Sequence, residues 1–259
     1  MANDILRYIE MCEEAAYAPA SPYAAANATS VFIDPRSIAM DVPGESDAIV
    51  PSAFGRAPNR KFAGFYAPSG DFSFNGNVRN LAHCLKWVLG GYAFTAGAVP
   101  GTDPNIHEAW GSDARILPSV QGRFGKDNFE HLFQGIVFDT LSIEVEDELS
   151  IVTIEANASK DGKGTLQSPS AVLAALPVEI EIPFTKVTVT FNGVVQARKV
   201  KTLTFNVGNN SDPEMGRYLG SRYAGRIPSN ERETTIECEV DFSDTSEIER
   251  IWGGANGPT

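Results

Sequence analysis

The stretch GIVFDTLSIEVEDELSIVTIEANA, residues 135–158, decides the fold class of this chain. Leu141, Ile143 and Val145 alternate with serine and glutamate, and the second half repeats the pattern with valine, isoleucine and alanine. Alternation with a period of two is typical of a half-buried β-strand. Asp147-Glu148 separates the two runs, so the segment predicts a β-hairpin with one apolar face and one polar face.

Four further segments carry the same alternation and extend the β assignment along the chain. These segments are 61–75, 186–191, 200–207 and 233–243. Asn192-Gly193 lies between the second and the third of them and is a strong signal for a tight hairpin turn. The 23 glycines and 16 prolines supply the turns that many short strands require. The chain is therefore predicted to be mainly β, with a sandwich-like or barrel-like arrangement.

One segment departs from the strand pattern and predicts a helix. In residues 77–89 the apolar side chains recur at helical spacing. Asn77 can cap the first turn through its side chain, and Gly90-Gly91 can end the last one. A single amphipathic helix among strands is expected to pack on the sheet.

The N-terminal region predicts less regular structure. Residues 1–30 are rich in alanine, and the spacing of their apolar residues allows a short amphipathic helix within an N-terminal arm. Prolines recur through residues 31–60, which predicts a long loop. Residues 31–259 are predicted to form one β domain. The further predicted loops are 91–111 and 159–170.

Composition narrows the possible functions. The chain has 259 residues and a formal net charge of −12. This charge argues against tight binding of nucleic-acid phosphates, which requires a basic surface. Cys12, Cys84 and Cys238 form no paired motif, so a disulfide framework is not expected. No apolar stretch has the length of a membrane span, and no membrane anchor is expected.

Motifs for catalysis, metal binding and nucleotide binding do not appear. His83, His107 and His131 have no second ligand at metal-site spacing. The segment DGKGT, residues 161–165, lacks the spacing of a phosphate-binding P-loop, and there is no GxSxG nucleophile motif. We therefore predict no enzymatic activity, no catalytic residue, no metal site and no cofactor. A carbohydrate-binding or hydrolytic β-sandwich with paired carboxylates is the alternative of a different class.

The order of these segments resembles that of the major tail tube proteins of long-tailed, siphophage-type phages and related tailed viruses. The resemblance covers residues 50–255 and rests on the order of the features rather than on any one of them. In sequence, these are the glycine-closed helix at 77–91, Leu117-Pro118-Ser119, Phe133-Gln134-Gly135 before a strand, the strand pair around Asn192-Gly193, Ile227-Pro228, and the final strand at 233–242. The arm and residues 31–60 have no clear counterpart in that family.

The resemblance implies a β-sandwich-like subunit related to type VI secretion tube proteins. Six subunits would form a ring whose strands join into one barrel, and rings would stack into a non-contractile tube through which double-stranded DNA passes. The implied partners are further copies of the chain and the tape measure, tail terminator and baseplate or distal tail proteins. The implied location is the virion tail, after synthesis in the host cytoplasm. A type VI secretion-like tube protein is the nearest alternative.

Two hypotheses about surfaces follow from this resemblance. An acidic lumen would repel DNA and let it slide without sticking. The candidate lumen-lining residues are Glu144, Glu146, Glu155, Glu237, Glu239 and Asp241, for which the outer solvent is the alternative location. The second hypothesis places the ring-to-ring contact in residues 31–60.

Overall fold

The computed structural model describes residues 7–18, 30–41, 47–50, 60–99, 103–126, 128–146, 149–176, 181–188, 190–191, 194–195 and 200–240. The strands in these ranges are β1 (Arg7–Glu13), β2 (Val31–Ile33), β3 (Pro35–Ile38), β4 (Asp47–Val50), β5 (Arg60–Ala63), β6 (Ser69–Asn75), β7 (Gly90–Thr95), β8 (Ile106–Gly111), β9 (Val120–Lys126), β10 (Phe129–Glu146), β11 (Leu149–Asn157), β12 (Lys160–Gly164), β13 (Thr190–Phe191), β14 (Val194–Val195), β15 (Val200–Gly208) and β16 (Glu233–Val240). The helices are α1 (Val78–Leu89), α2 (Pro169–Ala175) and two short 3₁₀ helices, Phe184–Lys186 and Pro213–Gly216. The predicted mainly β fold is confirmed.

The long strand β10 organises the ten-stranded antiparallel sheet by belonging to both of its halves. Its first part pairs with β9 and β12, and its second part pairs with β11 and β15. Gly135 lies between the two parts with a φ of +63°, and the register shifts on either side of it. Such irregularities bend a strand and allow it to pass from one sheet layer to another. One half-sheet therefore contains β2, β1, β9, β10 and β12, and the other contains β16, β15, β10, β11, β6 and β3.

Aromatic side chains from both half-sheets meet in one core. The Phe72 ring of β6 packs edge-to-face on Phe124 of β9, with centroids 5.8 Å apart. Trp87 of α1 packs in the same manner on Phe138 of β10, with centroids 5.6 Å apart. All four side chains are buried in a single cluster that also takes in β1, β2 and β11. This arrangement is that of a β-sandwich with a helix on its core side, as predicted.

The helix α1 begins and ends at the residues that the sequence indicates. The Asn77 side chain accepts a hydrogen bond from the Asn80 backbone N–H at 2.8 Å. Gly90 adopts the left-handed conformation at φ +82° and donates its N–H to the Lys86 carbonyl. Cys84, with Trp87 and Val88, is buried against the sheet. No helix in the described ranges is long and apolar enough to cross a membrane.

The predicted N-terminal helix is wrong, because Arg7–Glu13 is a strand. β1 pairs with β9 on one side and with β2 on the other, so it lies inside the main sheet. Its central residues, 8–12, are all buried. Both faces of β1 are buried, so its apolar residues show no clear alternation, and the spacing of Ile9 and Cys12 also fits a helix. The division into an arm and a domain at residue 30 stays a prediction.

Three predicted loops contain strands. Residues 31–60 hold β2, β3 and β4, and residues 91–111 hold the hairpin β7–β8. Residues 160–164 form β12 on the edge of β10. The loop prediction for residues 31–60 rested on their prolines. Pro35 is nevertheless the first residue of β3, because β3 is an edge strand and an edge position tolerates a missing N–H donor.

The predicted hairpin around Asn192-Gly193 is present but shorter than expected. β13 and β14 pair antiparallel on either side of residues 192–193, which themselves lie outside the described residues. β15 does not return along that hairpin. It pairs with β10 and β16 instead, so the segment 200–208 belongs to the main sheet.

Candidate functional site

The half-sheet from β16 to β3 presents a continuous polar face opposite the core. Residues that are directly paired across antiparallel strands share a face. One row across the strands is Glu237, Thr204, Glu144, Ile151 and Asn75. The next row is Thr235, Asn206, Ser142, Thr153, Ser73 and Ser37. The third row is Glu233, Gly208, Thr140, Glu155 and Asp71.

We call the carboxylates of this surface the acidic face. It comprises Asp71, Glu144, Glu146, Glu155, Glu233, Glu237 and Glu239. Asp71 is half-buried, and the six glutamates are exposed. Among these glutamates, Glu239 forms an ion pair with Lys201, with 3.5 Å between the charged atoms. Short hydroxyl and amide side chains fill the row between the carboxylates, so the surface is flat and hydrophilic.

The spacing of the glutamates lets their charges act together. Glu144 and Glu237 both neighbour Thr204 in one row, so they lie two strand spacings, about 10 Å, apart. That distance is close to the screening length of about 8 Å at physiological ionic strength. The repulsion of an approaching polyanion is therefore a property of the whole face rather than of one residue.

The structure brings five of the six candidate lumen residues onto this one face. Glu144 and Glu146 come from β10, Glu155 comes from β11, and Glu237 and Glu239 come from β16. Asp241 lies outside the described residues. Two further members were missed, Asp71 and Glu233. The alternation of Asp71 with Phe72 in the sequence was a signal that could have identified the first of them.

A second cluster of charged side chains is buried in the other half-sheet. Arg123 donates to both carboxylate oxygens of Glu130, each at 3.1 Å, and its guanidinium lies 3.6 Å from Glu10. The Tyr8 hydroxyl donates to Glu130 and accepts the Gln167 backbone N–H at 3.0 Å. Glu10 and Glu130 are 0% and 1% exposed. The cluster joins β1, β9 and β10 to the segment before α2, which is a structural role.

Burial in this cluster strongly raises the pKa of one side chain, Tyr8. Removal from water, together with the hydrogen bond to Glu130, raises the pKa of Tyr8 to about 12. The phenol therefore remains a hydrogen-bond donor at any physiological pH.

A surface cleft between α1 and the β7–β8 hairpin contains two of the histidines. His83 and Tyr92 line it together with His107, whose Nδ1 lies 2.6 Å from the Tyr92 hydroxyl oxygen. Burial and the nearby charges of Arg79 and Lys86 lower the pKa of His83. In the described part of the chain, no three His, Cys, Asp or Glu side chains are placed to hold a metal ion. Most of the DGKGT segment is paired strand, β12, rather than a phosphate-binding loop.

Comparisons with known proteins identify the family. A family model described as phage tail tube protein matches residues 8–257, which is nearly the whole chain. No individually curated protein matches the sequence.

Proposed function

This chain belongs to the phage tail tube protein family, and we propose that it forms hexameric rings that stack into the tube of a non-contractile, siphophage-type tail. The family match over residues 8–257 carries the tail tube role. The hexameric ring, the siphophage type and the delivery of the genome are our inference. The chain is then a structural component of the virion tail that assembles with further copies of itself.

Strand geometry supports a ring of the required size. Four neighbouring strands, β16, β15, β10 and β11, carry six of the seven carboxylates of the acidic face. Four strands from each of six subunits would give a 24-stranded barrel, with a diameter of about 48 Å at a tilt of about 40°. Side chains would reduce the opening to about 38 Å, which still admits a DNA duplex.

The edges of the half-sheet support closure into a ring. β16 and β3 are the outer strands of this half-sheet, and each pairs with one described strand in it. Open edges of this kind promote aggregation unless they are covered. A head-to-tail contact that covers the β16 edge of one subunit with a surface of the next would close the ring when it is repeated six times.

The acidic face is our candidate for the lumen wall. Glu144, Glu146, Glu155, Glu237, Glu239 and Asp241 remain the proposed lumen residues, and Asp71 and Glu233 join them. A wall of like charge prevents phosphate contacts from forming, so DNA would move along the tube with little friction. Tight DNA binding and enzymatic activity are not part of the proposed role.

Contacts with other tail components complete the proposal. Stacked rings need an axial contact, and residues 31–60 stay our candidate for it. Within this segment, β4 pairs with β5 in a two-stranded sheet separate from the main one. Deletion of residues 42–59 should leave folded rings that do not stack, and tubes of normal length would refute the assignment. Tape measure, terminator and baseplate or distal tail proteins are the proposed partners inside the tube and at its ends.

The test is to image the purified chain by negative-stain electron microscopy across a concentration series. We expect six-fold rings and hollow tubes with an opening wider than duplex DNA. A chain that remains monomeric at all concentrations, and that also fails to complement a tail tube deletion in phage assembly, would contradict the proposed function. An elongated filament with no central channel would contradict the lumen but not the self-assembly.

A further inference from the structure

An exposed loop between β15 and β16 combines apolar and basic side chains. We call residues 215–226 the arginine loop. It contains Arg217, Arg222 and Arg226 and no acidic residue, although the chain as a whole has a formal net charge of −12. Its tip carries Tyr218 at 51% and Leu219 at 105% relative exposure. Exposed apolar side chains clustered with one sign of charge mark an interaction surface.

The arginine loop is held in one shape by its own base. The Gly225 N–H donates to the Gly216 carbonyl at 2.9 Å. A side chain on Gly216 would lie 1.6 Å from the Arg226 carbonyl oxygen, so the two backbone segments are in direct contact there. Tyr218 lies against Gly225, where a Cβ would be 2.6 Å from its ring. A loop that is already ordered loses little entropy when it binds, which favours a defined partner surface.

The loop packs on Phe65 and Tyr66, in the segment that precedes β6, and on Ser159, which follows β11. The chain leaves β15 next to β16, crosses the end of the half-sheet and reaches Tyr66, which precedes β6. There the Tyr66 N–H donates to the Arg222 carbonyl at 3.0 Å, and the Arg222 guanidinium stacks over the Tyr66 ring. Arg217 lies over the ring of Phe65. β6 is four strand spacings from β16, about 19 Å across the sheet.

The edge strand β16 carries the complementary surface. β16 is exposed on both faces over residues 233–239. It presents Glu233 and Glu237 on the acidic face and, on its opposite face, Ile236, whose relative exposure is 60%. The arginine loop therefore offers cations and apolar groups, and β16 offers carboxylates on one face and an apolar side chain on the other.

We propose that the arginine loop docks onto the acidic edge strand β16 of a second copy of this chain. Arg217 and Arg226 would pair with Glu233 and Glu237 of that copy, and Leu219 would cover its exposed apolar surface. The contact is head-to-tail, so it can be repeated around a ring. The proposal rests on the proposed self-assembly and names the surfaces that carry it.

Cross-linking tests the contact directly, because β16 carries the exposed Cys238 while Cys12 and Cys84 are buried. The variant Leu219→Cys places a second accessible thiol at the loop tip. After assembly and treatment with a flexible bismaleimide, we expect a ladder of covalent multimers on a denaturing gel. The matched control Leu219→Cys/Cys238→Ser should lack that ladder. Assembled Leu219→Cys tubes that yield only monomers would overturn the proposal.

A charge swap gives a second, independent readout in the full chain. Arg217→Glu/Arg226→Glu should reduce assembly at least ten-fold in sedimentation velocity, because it places like charges at the contact. Adding Glu233→Lys/Glu237→Lys to the same chain should restore assembly. The control Lys163→Glu/Lys186→Glu reverses two exposed lysines elsewhere and should assemble normally. If the wild type and Arg217→Glu/Arg226→Glu form tubes equally well, this contact is overturned and the proposed function stands. A wild-type chain that never assembles would overturn the proposed function as well.

Discussion

At the scale of single residues, the most consequential side chain is the buried Arg123. It is the cation of the cluster that also contains the carboxylates of Glu10 and Glu130, which are almost wholly buried. Removing it would leave two buried charges without their partner, which costs about 3–5 kcal/mol. We expect Arg123→Leu to lower the free energy of unfolding by that amount in urea titrations, and Glu130→Gln in the same chain to restore part of it.

The surface ion pair Lys201–Glu239 supplies the matched comparison for Arg123. Its charged atoms are 3.5 Å apart, close to the 3.6 Å between Arg123 and Glu10, but both side chains are more than half exposed. Lys201→Met should therefore change the free energy of unfolding by less than about 1 kcal/mol. Equal effects of the two substitutions would show that burial of the Arg123 cluster does not matter.

The buried tyrosines predict that the free energy of unfolding falls at alkaline pH. Burial, reinforced by Glu130, raises the pKa of Tyr8 to about 12, and burial also raises the pKa of Tyr17 and of Tyr66 above the ordinary value. In the unfolded chain these phenols ionise near pH 10, whereas the folded chain keeps their protons to higher pH. The stabilisation is therefore complete below pH 10 and is lost as the pH rises from 10 towards 12.

Urea unfolding at pH 9 and pH 11 measures this loss. The wild type should be less stable at pH 11, and Tyr8→Phe should show a smaller difference between the two pH values. Tyr218→Phe removes an exposed phenol and should leave the difference unchanged. A wild-type free energy of unfolding that is flat across this range would contradict the alkaline titration of these buried phenols.

At the scale of the secondary-structure element, the bend in β10 depends on Gly135. Its φ of +63° suits glycine, and an added Cβ would lie 2.8 Å from the Cβ of Ser159 and 3.0 Å from that of Ala18. Gly135→Ala combines conformational strain with a clash and should cost about 2–4 kcal/mol. Gly220→Ala has a similar φ, +84°, but no atom within 4 Å of the added methyl group. Gly220→Ala should cost only about 1–2 kcal/mol, because it introduces strain without a clash. Comparing the thermal unfolding of the two variants therefore separates the cost of the clash from that of the strain.

Elements also show where sequence reasoning succeeded and where it could not. The hairpin of β10 and β11 and the helix α1 were predictable, because one face of each is buried and the other is exposed to solvent. Their apolar residues therefore recur with a clear period in the sequence. β1 was not predictable, because Tyr8 and Glu10 are buried on the face opposite Ile9 and Met11, and no period survives. The acidic face was predictable as strand positions, but its assembly from β10, β11 and β16 depends on pairings between distant segments. Register of that kind is set by the packed core rather than by any local signal.

At the scale of the whole molecule, the half-sheet carries two charged surfaces in different places. The acidic face gathers seven carboxylates on one surface of the half-sheet, while the arginine loop carries its cations at the end of that half-sheet. A head-to-tail ring would then pair the loop of each subunit with β16 of the next and leave most of the acidic face directed at a common centre. Both features would result from one arrangement, so their separate tests should agree.

The acidic face predicts how assembled tubes treat DNA. Glu144→Gln/Glu146→Gln/Glu155→Gln removes three exposed charges on β10 and β11, away from the proposed contact on β16, and every subunit of the proposed ring would carry the same loss. With less repulsion, phosphate contacts can form, so variant virions should eject their genome more slowly than the wild type at low ionic strength. The difference should shrink as salt is added, because screening weakens the repulsion in the wild type too. The control Glu108→Gln/Glu214→Gln/Glu231→Gln neutralises three exposed glutamates outside this face and has the same net charge. Equal ejection rates for wild type, variant and control would place the acidic face on the outside of the tube, whereas slowing in the variant alone would place it on the lumen.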